Sequence, residues 1–237
     1  MADPLGQVHR RGIREEVRAM TDQDRADTVI GALLDSAART PDRTAFHVIE
    51  RSEEEFALSY ADVCHLVGTA VSGLDAHGIG EGERVLVVLP TSRDFLAVYL
   101  GCLYAGVVPV IAAEPTGGDP RHYAAGLRGL AEQARVSGVI ATPEAADSLA
   151  SYLPATVTTP DALRGEARTL DSPRATPGSL AHLQATSGST GSRPLALRSS
   201  RSSQHPDDAL RTCRHGRLRG RTFSGPKLEH LEARTQE

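Results

Sequence analysis

Six consecutive residues are all glycine or hydroxyl-bearing: Thr186, Ser187, Gly188, Ser189, Thr190 and Gly191. Glycines let a backbone bend tightly and present successive N–H groups to an anion, and the hydroxyls add further donors. The stretch carries no charge, so a nucleotide bound there would need Mg2+ and basic residues from elsewhere. These residues are therefore a candidate phosphate-binding loop, and a flexible serine–glycine linker is the alternative.

Other motifs that bind phosphates or metals do not occur in the sequence. A Walker loop requires lysine after its last glycine, whereas Gly191 is followed by Ser192 and Arg193. The glycines at 78, 80 and 82 precede a predicted strand, although the dinucleotide fingerprint requires them to follow one. The nine histidines form no HxH or HExxH pattern and the three cysteines no CxxC pair. We therefore expect neither a metal site nor a disulfide framework, and the cysteine usage suits the cytoplasm.

The elements that must position the loop alternate between strand and helix. Apolar and β-branched runs predict strands at 84–90, 107–112, 137–142, 155–159 and Leu180–Ala185. Helical spacing predicts helices near 29–38, 63–74, 95–104, 123–134 and 144–153, and a hairpin is predicted at 45–60. Thr91 and Asp94 are a candidate capping box for the third helix. The pattern predicts an α/β fold with a mostly parallel sheet built from βαβ units.

Residues 95–113 run for 19 positions without a charge, which is long enough to span a bilayer. Gly101, Gly106 and Pro109 interrupt this run, and β-branched residues begin directly after Gly106. A buried helix that ends at a glycine and leads into a buried strand explains the pattern better. We therefore predict no membrane span.

Three stretches resemble the adenylate-forming superfamily, which includes acyl-CoA synthetases, fatty acyl-AMP ligases and peptide-synthetase adenylation domains. LQATSGSTG, at 183–191, is similar to its phosphate-loop signature, and LSYADV, at 58–63, is similar to an early family element. DFLAVYLGCLYAGVVPV, at 94–110, resembles another family segment in the form that is closest to the fatty acyl-AMP ligases. The resemblance covers roughly residues 28 to 197.

The resemblance implies ATP-dependent activation of a fatty acid as an acyl-adenylate. The acyl group would then pass to the thiol of an acyl carrier protein or of coenzyme A. Residues 186–191 would hold the β- and γ-phosphates of ATP while Mg2+ offsets their charge. No catalytic residue is carried over, because the family's later elements, among them its C-terminal catalytic lysine, have no match in this sequence.

The chain changes character after the loop. From Ser192 onward ten basic and five acidic residues occur, against 16 basic and 25 acidic residues before it. Where the family has proline and then lysine, this chain has Arg193 and Pro194. The sequence therefore predicts a polar arm at 1–26, a partial AMP-binding domain at 27–197, and an Arg/Ser-rich tail at 198–237 that is disordered or read out of frame.

Two interpretations of the whole chain remain open at this point. In the first, the chain is an inactive fragment of an acid-activating ligase, with a frame change just downstream of Gly191. In the second, it is a non-catalytic binding protein that keeps the phosphate loop and uses the arginine-rich tail for interaction. Nucleic acid is not an expected partner, because the tail has one aromatic residue, Phe223, and acidic neighbours at Asp207 and Asp208.

Overall fold

The computed structural model describes residues 27–50, 53–114, 120–185 and 195–199. The helices in these ranges are α1 (Val29–Arg39), α2 (Tyr60–Ala76), α3 (Arg93–Ala105), α4 (Pro120–Ala134) and α5 (Pro143–Ala150). The strands are β1 (Thr44–Ile49), β2 (Glu55–Ser59), β3 (Arg84–Val88), β4 (Val108–Ile111), β5 (Gly138–Ala141), β6 (Thr156–Thr158), β7 (Leu180–Ala185) and β8 (Leu195–Ser199). The predictions for the arm at 1–26 and for most of the tail lie outside the described residues.

Six strands form one sheet in the order β6-β5-β3-β4-β7-β8. The first five are parallel to one another, and β8 joins the edge antiparallel to β7. Strand β3 lies inside the sheet, and Val85 to Val88 are at most 1% exposed, as its β-branched run predicts for a strand buried on both faces. The predicted α/β fold with a mostly parallel sheet and βαβ units is confirmed.

Helices cover both faces of this sheet. On one face, side chains of β3, β4 and β5 pack against α4 and α5. On the other, the alternate side chains of β3 pack against α2 and α3. A further apolar cluster joins α1 and the β1–β2 hairpin to the outer sides of α2 and α3. The chain therefore leaves β3 and β4 toward opposite faces, through α3 and α4.

Helix α2 begins with a capping box that the sequence analysis did not identify. The Ser59 hydroxyl accepts a hydrogen bond from the Asp62 N–H at 3.1 Å, and the Asp62 carboxylate accepts one from the Ser59 N–H at 2.9 Å. Hydrogen bonds from the Ser59 hydroxyl and N–H lower the pKa of Asp62. The LSYADV element thus acts locally as a helix start.

The capping box predicted at Thr91 and Asp94 is wrong. Ser92 is the N-cap of α3, and its hydroxyl accepts the Phe95 N–H at 3.1 Å. Asp94 instead accepts a hydrogen bond from Arg164 at 2.9 Å, and this bond raises the pKa of Arg164. Thr91 and Ser92 both carry a hydroxyl that could cap the helix. The predicted capping box required the Asp94 carboxylate, and in the structure that carboxylate is paired with Arg164 instead.

The uncharged run at 95–113 forms the predicted helix, glycine stop and buried strand. Gly106 has a φ of 71° and closes α3, and its N–H donates to the Cys102 carbonyl. No helix among the described residues is long and apolar enough to cross a membrane.

An irregular segment at 161–176, here called the crossing segment, leads the chain from β6 toward β7. It runs over α2 and α3, where the Gly165 N–H donates to the Thr69 carbonyl at 3.3 Å. Farther along, Tyr104 of α3 holds it twice, because its hydroxyl accepts the Ser172 N–H at 3.1 Å and its carbonyl accepts the Arg174 N–H at 2.8 Å. These bonds hold the crossing segment against α2 and α3.

Candidate functional site

Strand β7 brings the chain to the carboxyl edge of the sheet. It spans Leu180–Ala185, as predicted, and pairs in parallel with β4 through Val110–Leu183 and Ile111–Gln184. Ala185 also pairs with Leu195 of β8. The predicted loop, residues 186–191, follows Ala185 directly and lies outside the described residues. Its phosphate-binding role stays a prediction, although the strand before it ends at the edge where such a loop is expected.

The direction of the strand connections reverses inside the sheet. From β3 the chain moves to β4 on one side, and from β4 it returns past β3 to β5. The connecting helices α3 and α4 pack on opposite faces. The switch point therefore lies between β3 and β5, and in open α/β sheets ligands bind outside the carboxyl ends of the strands at such a point. Residues 186–191 follow β7, which ends at the same carboxyl edge and is separated from β3 by β4.

Two arginines at the ends of β3 and α3 are held by protein groups. Arg84 lies at the amino end of β3, the opposite edge, and donates to the Ala134 carbonyl at 2.8 Å. Arg93, in the first turn of α3, donates to the Glu50 carboxylate at 3.1 Å, and its guanidinium lies 3.6 Å from the centre of the Phe56 ring. The Arg93 N–H is the main cause of the lowered pKa of Glu50, and the guanidinium adds to it.

Two alanines follow the carboxyl end of β4. Ala112 is buried, and the carbonyl of Ala113 accepts a hydrogen bond from the Tyr123 hydroxyl of α4 at 2.7 Å. Glu114 follows as a half-buried carboxylate. A negative side chain here repels a bare phosphate, so an anion bound near it needs a cation as counter-charge.

Other surfaces lie apart from this edge. A groove of about 420 Å³ is lined by side chains of α1, α2 and residues 167–170, none of which belongs to a strand end. No group of three or more histidine, cysteine, aspartate or glutamate side chains is arranged to hold a metal ion among the described residues. The carboxyl edge is therefore the candidate site.

The sequence profile of the AMP-binding enzyme family matches residues 33–201. The chain belongs to this family. Its relatives include the salicyl-AMP ligase/salicyl-S-ArCP synthetase of Mycobacterium tuberculosis, 33% identical over 114 residues that cover 48% of this chain and 19% of that protein. A 3-hydroxybenzoate–CoA/4-hydroxybenzoate–CoA ligase from Thauera aromatica is 32% identical over 96 residues, covering 40% of this chain and 17% of the ligase. Each match thus spans less than a fifth of the relative's own length.

Solved structures of AMP-binding enzymes share the fold. Fatty acyl-adenylate ligases from E. coli and L. pneumophila match with a TM-score of 0.64 and 24% identity, over 73% of this chain and 32% of theirs. VinN matches with a TM-score of 0.60 and 28% identity, over 73% of this chain and 44% of VinN. The resemblance drawn from the three sequence stretches is confirmed.

The structure contains two features that the sequence analysis missed. Strand β8 lies within the matched residues, although no apolar periodicity marked it. His182 of β7 forms a hydrogen bond with Tyr99 of α3 at 3.0 Å, and 83 positions separate the two residues in the sequence. No local pattern could have paired these two residues.

Proposed function

We propose that residues 186–191 bind the pyrophosphate portion of ATP together with Mg2+. One observation carries the proposal: β7, whose end precedes these residues, terminates beside β4 at the carboxyl edge of the parallel sheet, where ligands of open α/β sheets bind. Glycines at 188 and 191 allow backbone N–H groups to converge on an anion, and four hydroxyls supply further donors. The stretch itself is neutral, so Mg2+ would supply the positive charge.

The reaction proposed for the whole site is activation of a carboxylic acid. A carboxylate oxygen attacks the α-phosphorus of ATP, and the bond from that phosphorus to the bridging oxygen of pyrophosphate breaks. A thiol then attacks the acyl carbonyl and releases AMP. The first step depends on positioning and on stabilising negative charge on the departing pyrophosphate, which is the work assigned to residues 186–191.

We propose a fatty acid as the acid and an acyl carrier protein as the preferred acceptor over coenzyme A. The sequence of residues 94–110, which resembles that of the fatty acyl-AMP ligases, supports a fatty acid as the substrate. The names of the relatives support both acceptors, since one is a salicyl-S-ArCP synthetase and others are CoA ligases, including a medium-chain acyl-CoA ligase. The free thiols of Cys64 and Cys102 suit a cytoplasmic location.

We further propose that this chain does not complete the reaction alone. Residues 192–237 carry no match to the family's adenine, ribose or catalytic-lysine elements, and Lys227 lies in an unrelated setting. A frame change in the encoding gene downstream of Gly191 accounts for the arginine-rich composition that follows.

The test starts from the gene. A one-nucleotide insertion or deletion downstream of codon 191 is expected to open a frame that carries the later family elements. The protein from that frame and the present chain are then assayed for ATP–pyrophosphate exchange with fatty, aromatic and amino acids. We expect acid-dependent exchange by the restored protein with fatty acids and none by the present chain.

Each alternative outcome removes one part of the proposal. Exchange supported only by aromatic acids would refute the proposal that the substrate is a fatty acid. Acid-dependent exchange by the present chain would refute its incompleteness, and the lack of any such open frame would refute the frame change.

A further inference from the structure

Strand β7 contains a β-bulge near its amino end. Against β8, Leu180 pairs with Ser199 and His182 pairs with Arg198, so Ala181 is an extra residue on β7. A bulge of this kind changes which side chains face each side of a strand, and bulges are common next to active sites.

The packing of β7 shows the effect of the bulge. Leu180 and Leu183 pack on the α4 face of the sheet, whereas Ala181 is buried in the cluster on the α3 side. His182 also contacts α3, so Ala181 and His182 point to the same side. Strict alternation would have placed them on opposite sides.

His182 is held there by a directional contact. Its Nδ1 atom lies 3.0 Å from the Tyr99 hydroxyl, and the two rings meet edge to face with centroids 5.7 Å apart. Tyr99 in turn stacks on Phe95, one turn earlier in α3, at 5.8 Å. Burial raises the pKa of Tyr99, so its hydroxyl stays protonated at neutral pH.

The consequence concerns where β7 ends. A one-residue slip of a strand moves each following side chain to the other face, and here it would also displace Ala185 along the edge of β4. We propose that His182, held by Tyr99, is a positioning residue that fixes the register of β7 and therefore the point from which the chain leaves Ala185. The effect on phosphate binding rests on the proposed function, whereas the effect on register does not.

The test compares two equivalent substitutions on one helix in the full chain. Tyr99→Phe removes the hydroxyl beside His182, and the control Tyr104→Phe removes the hydroxyl that accepts the Ser172 N–H. Amide hydrogen exchange in β7 and binding of magnesium pyrophosphate by calorimetry are measured at a temperature where both variants are folded. We expect Tyr99→Phe to speed exchange in β7 and to weaken pyrophosphate binding, each by about fivefold, the usual effect of one hydrogen bond.

Substitutions at the partner residue sharpen the result. His182→Phe keeps a ring without the nitrogen and should match Tyr99→Phe, and the double variant should add little further effect. His182→Asn places a polar amide atom near the Nδ1 position and should restore most of the wild-type behaviour.

The outcomes separate the two proposals. Equal acceleration of β7 exchange by Tyr99→Phe and Tyr104→Phe would overturn the positioning role, as would unchanged pyrophosphate affinity in Tyr99→Phe when the wild type binds. If the wild type does not bind pyrophosphate but Tyr99→Phe still accelerates β7 exchange selectively, the register role stands and the proposed function fails.

Discussion

At the scale of single residues, the two described thiols differ in their surroundings. Cys102 is fully buried in α3 between the helix layer and the sheet, and burial raises its pKa to about 12. Cys64 in α2 is half-buried, and burial also raises its pKa. Because a thiol reacts as its thiolate, both should be slow to modify in the folded protein.

Labelling with an aromatic disulfide at pH 8 checks this expectation. In a Cys213→Ser background we expect Cys64 to react slowly and Cys102 to react only after denaturant is added. A buried neutral thiol stabilises the fold below the pKa of the unfolded thiol, near 9, and that contribution is lost as the pH rises toward about 12. Rapid labelling of both thiols in the native protein would contradict the packing around Cys102.

Arg135 provides a second prediction at this scale. It is an exposed residue after α4 with a φ of 54°, a conformation that costs a side-chain-bearing residue free energy and that glycine adopts readily. Arg135→Gly should therefore exceed Arg135→Ala in free energy of unfolding by about 1 kcal/mol. The two variants lose the same charge, so chemical denaturation of both isolates the backbone effect. Equal stability would show that the strain is absent.

At the scale of elements, the crossing segment depends on close approach to α2. A Cβ added at Gly73 would lie 1.9 Å from the Leu163 carbonyl oxygen, a distance that requires the backbone to move. In α4, a Cβ added at Gly129 would meet nothing within 4 Å. The glycine in α2 is therefore required by packing, whereas the one in α4 is not.

This contrast gives a matched pair of variants. Gly73→Ala should lower the free energy of unfolding by about 3 kcal/mol, because overpacking forces the crossing segment away from α2. Gly129→Ala should raise it by about 1 kcal/mol, because alanine favours the helix. Chemical denaturation measures both. A neutral Gly73→Ala variant would mean that the segment does not lie against α2.

The elements that could be predicted are those with local signals. Leu180–Ala185 and the helix–glycine–strand unit around Gly106 follow from apolar runs and a left-handed stop. The start of α3 could not be predicted, because Thr91 and Ser92 are equivalent as N-caps in the sequence. Only the tertiary ion pair between Arg164 and Asp94 distinguishes them. Strand β8 could not be predicted either, since it is five residues long and its pairing with β7 is tertiary.

The residue types of the candidate site could be predicted from the sequence, but the tertiary contacts around it could not. Glycine and hydroxyl residues after a strand are a sequence signal, and the resemblance to a phosphate loop depends on them. The bulge at Ala181 and the contact between Tyr99 and His182 arise only when distant parts of the chain pack together. Sequence reasoning therefore predicted residues for the chemistry and did not identify the contact that holds the strand before them.

At the scale of the whole molecule, the chain carries a five-stranded parallel sheet and matches the AMP-binding family over residues 33–201, and β7 ends at the carboxyl edge of that sheet. The chain covers about a third of the fatty acyl-adenylate ligase structure that shares its fold. For this part of the family's fold, we propose a site for the pyrophosphate portion of ATP at residues 186–191.

Calorimetric titration of the folded chain with magnesium pyrophosphate tests this claim most directly. The test variant combines Ser187→Ala, Ser189→Ala and Thr190→Val, and the control removes two hydroxyls farther along with Ser202→Ala and Ser203→Ala. We predict saturable binding by the wild type and the control, and its loss in the triple variant. A folded wild type that does not bind, or a triple variant that binds as well as the wild type, would contradict the account.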